Sequence, residues 1–258
     1  MFFSRWIIML CLMAALAWGC APVKVPVDRP PEAVWNEFQW GMPEFSPEQS
    51  FLISASITFI TLDQRNRIQA SIWGFMGCPI RMDLSAGLGQ TIAMWYEDEQ
   101  IWEAYFPGEN MKYVHHDGSM GASMLGYPTP LDLRQTTMVL LGAFSSLVPE
   151  NYHEVQSLNG KWKYFFQDQE VKNIVLARDS TVSSITGQGW KIELSSRRDE
   201  GLFHYYSRID MQLSGDERAL IRIRSIRLDE HKWDEDQLDL KIPPEAGIVY
   251  LPYFELQQ

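Results

Sequence analysis

Cysteine is scarce: three residues in 258, at positions 11, 20 and 78. That is too few for a disulfide framework. Basic side chains are also in deficit, with 22 Lys and Arg against 33 Asp and Glu for a formal charge of −11. An acidic chain repels phosphate backbones, which excludes nucleic acid as the expected partner and argues against a general preference for anionic membrane surfaces. Signatures of catalysis are missing. There is no Gly-x-Ser-x-Gly, no His-Glu-x-x-His and no phosphate-binding glycine loop, so no enzyme, metal or cofactor is expected. His115 and His116 are adjacent, and in a strand they face opposite sides. Glu97-Asp98-Glu99 and Asp234-Glu235-Asp236 read as solvated turns rather than paired catalytic carboxylates. Apolar residues are plentiful at 46%, with thirteen Phe, ten Trp and ten Tyr, which excludes disorder as the main state.

The first twenty residues carry the most specific signal. Arg5 gives a positively charged start, and the uncharged run Trp6 to Ala17 follows. About twelve residues is short of the roughly twenty a bilayer span needs and fits a signal peptide; the other reading is an uncleaved signal anchor. The run ends in Leu16-Ala17-Trp18-Gly19-Cys20, which resembles the bacterial lipobox, whose cysteine is lipidated and becomes the mature first residue. Residues 1–19 are thus expected to be the signal peptide and Cys20 the lipidation site. Loss of Arg5 lowers the formal charge from −11 to −12. Cys78 then remains as the free thiol, read as a small buried hydrophobe. Ala21 stands where the sorting rule resembled here would place Asp for retention at the inner membrane, which favours the outer membrane.

Residues 20–33, with Pro22, Pro26, Pro30 and Pro31, read as a lipidated N-terminus and extended tether, and residues 34–258 as the folded domain. Pro31 suits a helix first turn, with Val34, Trp35 and Phe38 on one face. From Phe51 the period changes to two: Phe51, Ile53, Ala55, Ile57 and Phe59 alternate with their neighbours. Further strands are expected at 67–76, 79–84, 91–97 and 100–106, and again at 161–166, 171–177, 181–186, 190–194, 204–213 and 218–228. Between the two sets lies a stretch of different texture. It holds the small, Met-rich segment Gly118–Leu125, the break Gly126-Tyr127-Pro128-Thr129-Pro130, and a helix from Leu133 to Phe144 with capping-box spacing at Asp132 and Gln135. The expected fold is mainly β: an incomplete antiparallel β-barrel of about eleven strands with a helical lid insertion.

Three segments resemble the LolB family of outer-membrane lipoprotein receptors and its relative LolA, the periplasmic carrier. Met82 to Thr91 is similar to the family's strand, protruding Leu-Gly loop and next strand. Gly126-Tyr127-Pro128-Thr129-Pro130-Leu131 with Leu133-Arg134-Gln135 is similar to its Gly-x-Pro-x-Pro-Leu and Leu-Arg-Gln before a lid helix. Ile185 to Leu228, with Gly189-Trp190-Lys191 and Arg222-Ile223-Arg224, resembles the closing strands. Gly87 departs from the family's usual proline, one residue is missing between Leu131 and Leu-Arg-Gln, and residues 231–258 extend past the receptor's usual end. In that extension, Leu238 to Pro244 looks like the closing segment of carrier-type relatives.

The resemblance implies a monomeric, lipid-anchored receptor facing the periplasm. It would take acylated lipoproteins from a periplasmic carrier and insert them into the outer membrane. Release of a chain of about sixteen carbons into water would cost on the order of 12 kcal/mol, at about 0.8 kcal/mol per methylene. An apolar interior removes that barrier. Trp73, Phe75, Trp95 and Trp102 are the aromatic candidates for the acyl-chain cavity, and Met120, Met124, Leu125, Leu140 and Leu141 for the lid. Leu88, between Gly87 and Gly89 at a hairpin tip, is by resemblance the leucine that inserts cargo into the membrane. Two other readings stand beside this one: a lipid or glycolipid carrier using the same cavity, and a structural lipoprotein whose barrel is filled by its own side chains.

Overall fold

A computed structural model describes residues 29–252, without positions 42, 88, 128, 168–169, 202, 214–216 and 230–232. The expected signal peptide, Cys20 and most of the tether lie outside the described residues. Helix α1 (Pro31–Trp40) opens the fold, with Pro31 at its first position and Val34, Trp35 and Phe38 buried. Six strands follow: β1 (Ser50–Ile60), β2 (Arg65–Phe75), β3 (Ile80–Ser85), β4 (Thr91–Glu97), β5 (Trp102–Phe106) and β6 (Met111–His115). Helices α2 (Gly118–Met124) and α3 (Leu133–Leu141) and a 3-10 turn at Phe144–Leu147 come next. The second set is β7 (Glu154–Leu158), β8 (Lys161–Phe165), β9 (Val171–Leu176), β10 (Val182–Gly187), β11 (Lys191–Glu200), β12 (Phe203–Gln212) and β13 (Arg218–Asp229). A short α4 (Glu235–Leu238) and β14 (Gly247–Tyr250) end the described chain.

All fourteen strands form one sheet in the order β14-β6-β5-β4-β3-β2-β1-β13-β12-β11-β10-β9-β8-β7. β7 and β14 are its two edges, so the sheet is open: an incomplete barrel with a helical insertion. Two meanders meet at β1, which pairs antiparallel with β2 on one side and β13 on the other. Rows such as Ile72–Ile53–Ile226 and Ile68–Ile57–Ile221 run across these three strands. They join both halves into one apolar face, because alternate side chains of neighbouring strands stack on the same side. Trp35 of α1 packs on Tyr164 at 4.9 Å and Tyr152 at 5.4 Å, and its indole N–H donates to the Glu150 carbonyl.

Three strands escape the periodic reading. β6 (Met-Lys-Tyr-Val-His) is short and interrupted by charge; β7 is a mostly exposed edge strand; β14 has only four residues. Each carries too few buried alternations to stand out. β14 also pairs parallel with β6, the one departure from antiparallel order. The C-terminal extension leading to it straps the outer face of β2 and β3. Trp233 meets Trp73 at 6.5 Å, the Trp73 indole N–H donates to the Gln237 carbonyl, and Arg81 donates to the Asp239 carbonyl at 2.6 Å. β14 itself covers what would otherwise be the free edge of β6.

The expected capping box is present: Asp132 accepts from the Gln135 backbone N–H while the Gln135 side chain accepts from that of Asp132. The helix ends sooner than expected, at Leu141 rather than Phe144, because Gly142 takes the left-handed conformation (φ 81°). A Cβ at Gly142 would lie 2.2 Å from the His204 carbonyl oxygen of β12. Gly142→Ala should therefore lower stability by about 2 kcal/mol, read as a lower urea midpoint at unchanged slope. A loss within about 0.5 kcal/mol would show that this close approach is dispensable.

Candidate functional site

The concave side of the sheet holds an apolar cavity. Its walls come from both meanders: Ile57 and Phe59 of β1, Met82 and Leu84 of β3, Trp95 of β4, Trp102 of β5, and Met211, Ala219 and Ile221 of β12 and β13. Its cover is the start of the lid: Tyr127, Thr129, Leu131, Leu133 and Thr136. α3 spans the hollow, packing on β3 and on β12. The cavity measures about 70 Å³, space for about two water molecules and well short of the roughly 300 Å³ at which ligand pockets begin. The lid is closed.

Tyr127 lies at the boundary. Its ring contacts Trp95 at 5.5 Å, Phe106 at 6.0 Å and Phe59 at 6.3 Å. On its far side is an open recess of about 510 Å³ lined by Gln90, Thr91 and Ile92 together with Phe106, Tyr113, Met124 and Leu125. Gln90 ends the β3–β4 hairpin loop, where Ala86 N–H donates to the Gln90 carbonyl and Gly89 N–H to the Ala86 carbonyl. A Cβ built on Gly87 or on Gly89 meets nothing within 4 Å, so the loop is open at both positions. Leu88 itself lies outside the described residues. Tyr127 thus separates the cavity from the recess, and the recess reaches the β3–β4 loop at Gln90.

The nine cavity and lid candidates divide by position. Trp95 and Trp102 line the cavity, in edge-to-face contact at 5.3 Å. Trp102 is also the bed for α2, because a Cβ on Gly121 would reach within 2.6 Å of its ring. Met124 and Leu125 line the outer recess, and Met120 is half-buried on α2 away from both. Leu140 and Leu141 are buried in the core on the last turn of α3. Trp73 and Phe75 sit on the opposite face of β2 from the inward Ile68, Ala70 and Ile72. Trp73 is there held by the C-terminal strap. Cys78 is half-buried in the β2–β3 turn rather than inside a strand, and burial pushes its thiol up to about 11.

Glu97 corrects one expectation: it is no solvated turn residue. At the end of β4 it follows the inward positions Ala93 and Trp95, and it is 7% exposed. Its carboxylate accepts from the backbone N–H groups of Leu133 at 3.1 Å and Arg134 at 3.2 Å, the first turn of α3. Its Oε2 also closes over the start of α2, 2.2 Å from where a Cβ on Gly118 would stand. One side chain on the wall thus fastens α3 by two hydrogen bonds and lies against the start of α2. Continuing the alternation of β4 by two residues would have found it.

No protein-family model and no curated protein sequence matches the chain. Solved structures share its fold. A LolA superfamily protein from Nitrosomonas europaea aligns with TM-score 0.52 at 8% identity, over 81% of this chain and 97% of that one. A putative outer membrane lipoprotein-sorting protein domain from Vibrio parahaemolyticus aligns at 0.50 and 8%, over 80% and 95%. A DUF1329 family protein from Desulfovibrio piger aligns at 0.51 and 10%, over 82% and 100%. The fold is of the LolA type.

The Glu97 fastening carries a pH dependence. Burial first, then the nearby Asp132 carboxylate, push its carboxyl from 4.5 up to about 7 against the two N–H groups that pull it down, and Asp117 adds to the rise. Because the folded-state value is raised, the contribution is fully present below about pH 4.5 and is lost as pH rises through about 7. Asp132, raised by its own burial, works in the same direction. Amide exchange in α3 should therefore speed up between pH 5 and 8 beyond the intrinsic base-catalysed increase. That excess should largely vanish in Glu97→Gln. An excess that survives the substitution would assign the effect to another group.

Proposed function

We propose that this chain shelters an acyl chain between its half-barrel and the α2–α3 lid, as a lipid-anchored receptor for acylated lipoproteins at the outer membrane. The observation that carries the reading is the apolar cavity between the meanders, divided only by the Tyr127 ring from a recess that reaches the β3–β4 loop. Movement of the Tyr127 ring would join the two spaces into a route for an apolar chain. The work is transfer without chemistry: the lid opens, the sheet's inner face replaces water around the chain, and the loop brings the cargo to the bilayer. The LolA-type neighbours support the reading by fold, and the lipobox-like Leu16–Cys20 by placing the domain at a membrane. A periplasmic carrier is the implied donor, and the chain acts as a monomer.

A cavity of about 70 Å³ also favours a second reading, the structural lipoprotein whose interior is full. Entry of a fluorescent fatty acid separates the two. On the receptor reading the probe enters the native domain, and Tyr127→Ala speeds entry roughly tenfold by removing ring contacts worth about 1.4 kcal/mol. Exclusion of the probe from both proteins would leave the filled barrel standing. Cargo is identified by a photo-crosslinking residue at Gln90 in cells. Captured acylated lipoproteins, with delivery lost in Leu88→Glu, are the expected result. Capture of phospholipid or glycolipid alone would mean a lipid carrier and deprive Leu88 of its role.

A further inference from the structure

The ladder between β12 and β13 stops early. It runs from Gln212↔Arg218 to Arg208↔Arg222, yet both strands continue, β12 back to Phe203 and β13 on to Asp229. Beyond Arg222, β13 stays with β1, while the β11–β12 hairpin stays paired with itself as far as Glu200↔Phe203. The sheet therefore splits, and the split is a wedge of about 490 Å³.

Four arginines line this wedge: Arg198 of β11, Arg208 of β12, and Arg222 and Arg224 of β13. Glu200 is the carboxylate among the lining residues, and it accepts from the Tyr205 hydroxyl at 3.3 Å. Four guanidinium groups against one carboxylate leave a formal charge of +3 in a chain of net −11. Other arginines of these strands are neutralised close by, Arg218 with Asp210 and Arg197 with Asp199. Among the described residues none of the four wedge arginines has an ion-pair partner. Arg208 and Arg222 stand directly opposite each other across the ladder, an arrangement of like charges that costs stability.

We propose that this wedge binds a phosphate group. A single carboxylate would leave most of the charge uncompensated, whereas a phosphate monoester carries about two negative charges and three acceptor oxygens. Guanidinium groups engage such oxygens in pairs, which lysines do not. Two sources share the chemistry, an anionic lipid headgroup and a soluble phosphate ester. The site is separate from the acyl-chain cavity, so it stands whether or not that reading holds. The net acidity that argues against anionic surfaces is an average, and the split sheet concentrates the opposite charge in one place.

The test uses the chain from residue 21 onward, which keeps every described strand, helix and core contact, all of them within residues 29–252. Co-sedimentation is measured with phosphatidylcholine vesicles, with and without phosphatidic acid, whose headgroup is a phosphate monoester, and inorganic phosphate binding by titration calorimetry. For a headgroup, binding should require phosphatidic acid, weaken at high salt, and fall roughly a hundredfold in the triple variant Arg208→Gln, Arg222→Gln, Arg224→Gln. The control Lys161→Gln, Lys172→Gln, Lys241→Gln removes the same charge from exposed positions elsewhere and should bind as the unaltered chain does. Phosphate binding that is lost in the arginine variant, without vesicle binding, would support the site and assign it to a soluble ester. Neither ligand binding, or equal losses in the two triple variants of unchanged circular dichroism, overturns the proposal.

Discussion

An open sheet with an apolar concave face must have that face covered. The closed barrel solves the problem by turning the sheet on itself. Here β7 and β14 stay apart, and cover comes from helices instead: α1 over the second meander, α2 over β5 and β6 of the first, and α3 over the junction of both. The consequence is structural before it is functional. A cover made of short helices tied in by loops comes off at far lower cost than a strand in the middle of a sheet, because fewer backbone hydrogen bonds hold it. The same residues that complete the core, Leu131 and Leu133 above Trp95 and Trp102, form a lid over whatever the hollow can hold.

What keeps such a cover in register is polar. Apolar contacts fix that a helix lies down but say little about its position along the groove. Glu97 supplies the position, because two N–H groups at the start of α3 have no partner within the helix and the carboxylate takes both. Asp132 caps the same turn from inside the lid. The Asp132 carboxylate sits close enough to raise the proton affinity of Glu97, so the joint is weaker than a single buried acceptor would make it. A fastening that combines good geometry with poor electrostatics holds the lid in one place without locking it.

Much of this was legible in the chain. Alternation located eleven strands, the capping pair Asp132 and Gln135 located α3, and the break at 126–130 located the connection between α2 and α3. The remainder was hidden for physical reasons. A period of two says that Trp73 and Ile72 face opposite ways but not which faces the hollow, and the answer depends on a distant strap around Trp233 and Gln237. Edge strands such as β7 and β14 bury so little that their composition does not reveal them. Glu97 was masked by Asp98 and Glu99, which do lie in the turn. The arginine wedge depends on where a ladder ends, and pairing register is not written in either strand alone.

On the receptor reading, the small size of the closed cavity bears on how cargo would be passed on. Burying an acyl chain of about sixteen carbons is worth on the order of 12 kcal/mol, and a preformed pocket of full size would retain nearly all of it. A chain entering this hollow must first lift Tyr127, Leu131 and Leu133 from their places on Phe59, Trp95 and Trp102, returning apolar surface to water. The net affinity is the difference between these two terms. A bilayer exacts no such toll, so cargo leaving the half-barrel for lipid moves downhill and the lid closes behind it on its own contacts. On the receptor reading, therefore, the tight packing of the empty state is what makes delivery directional.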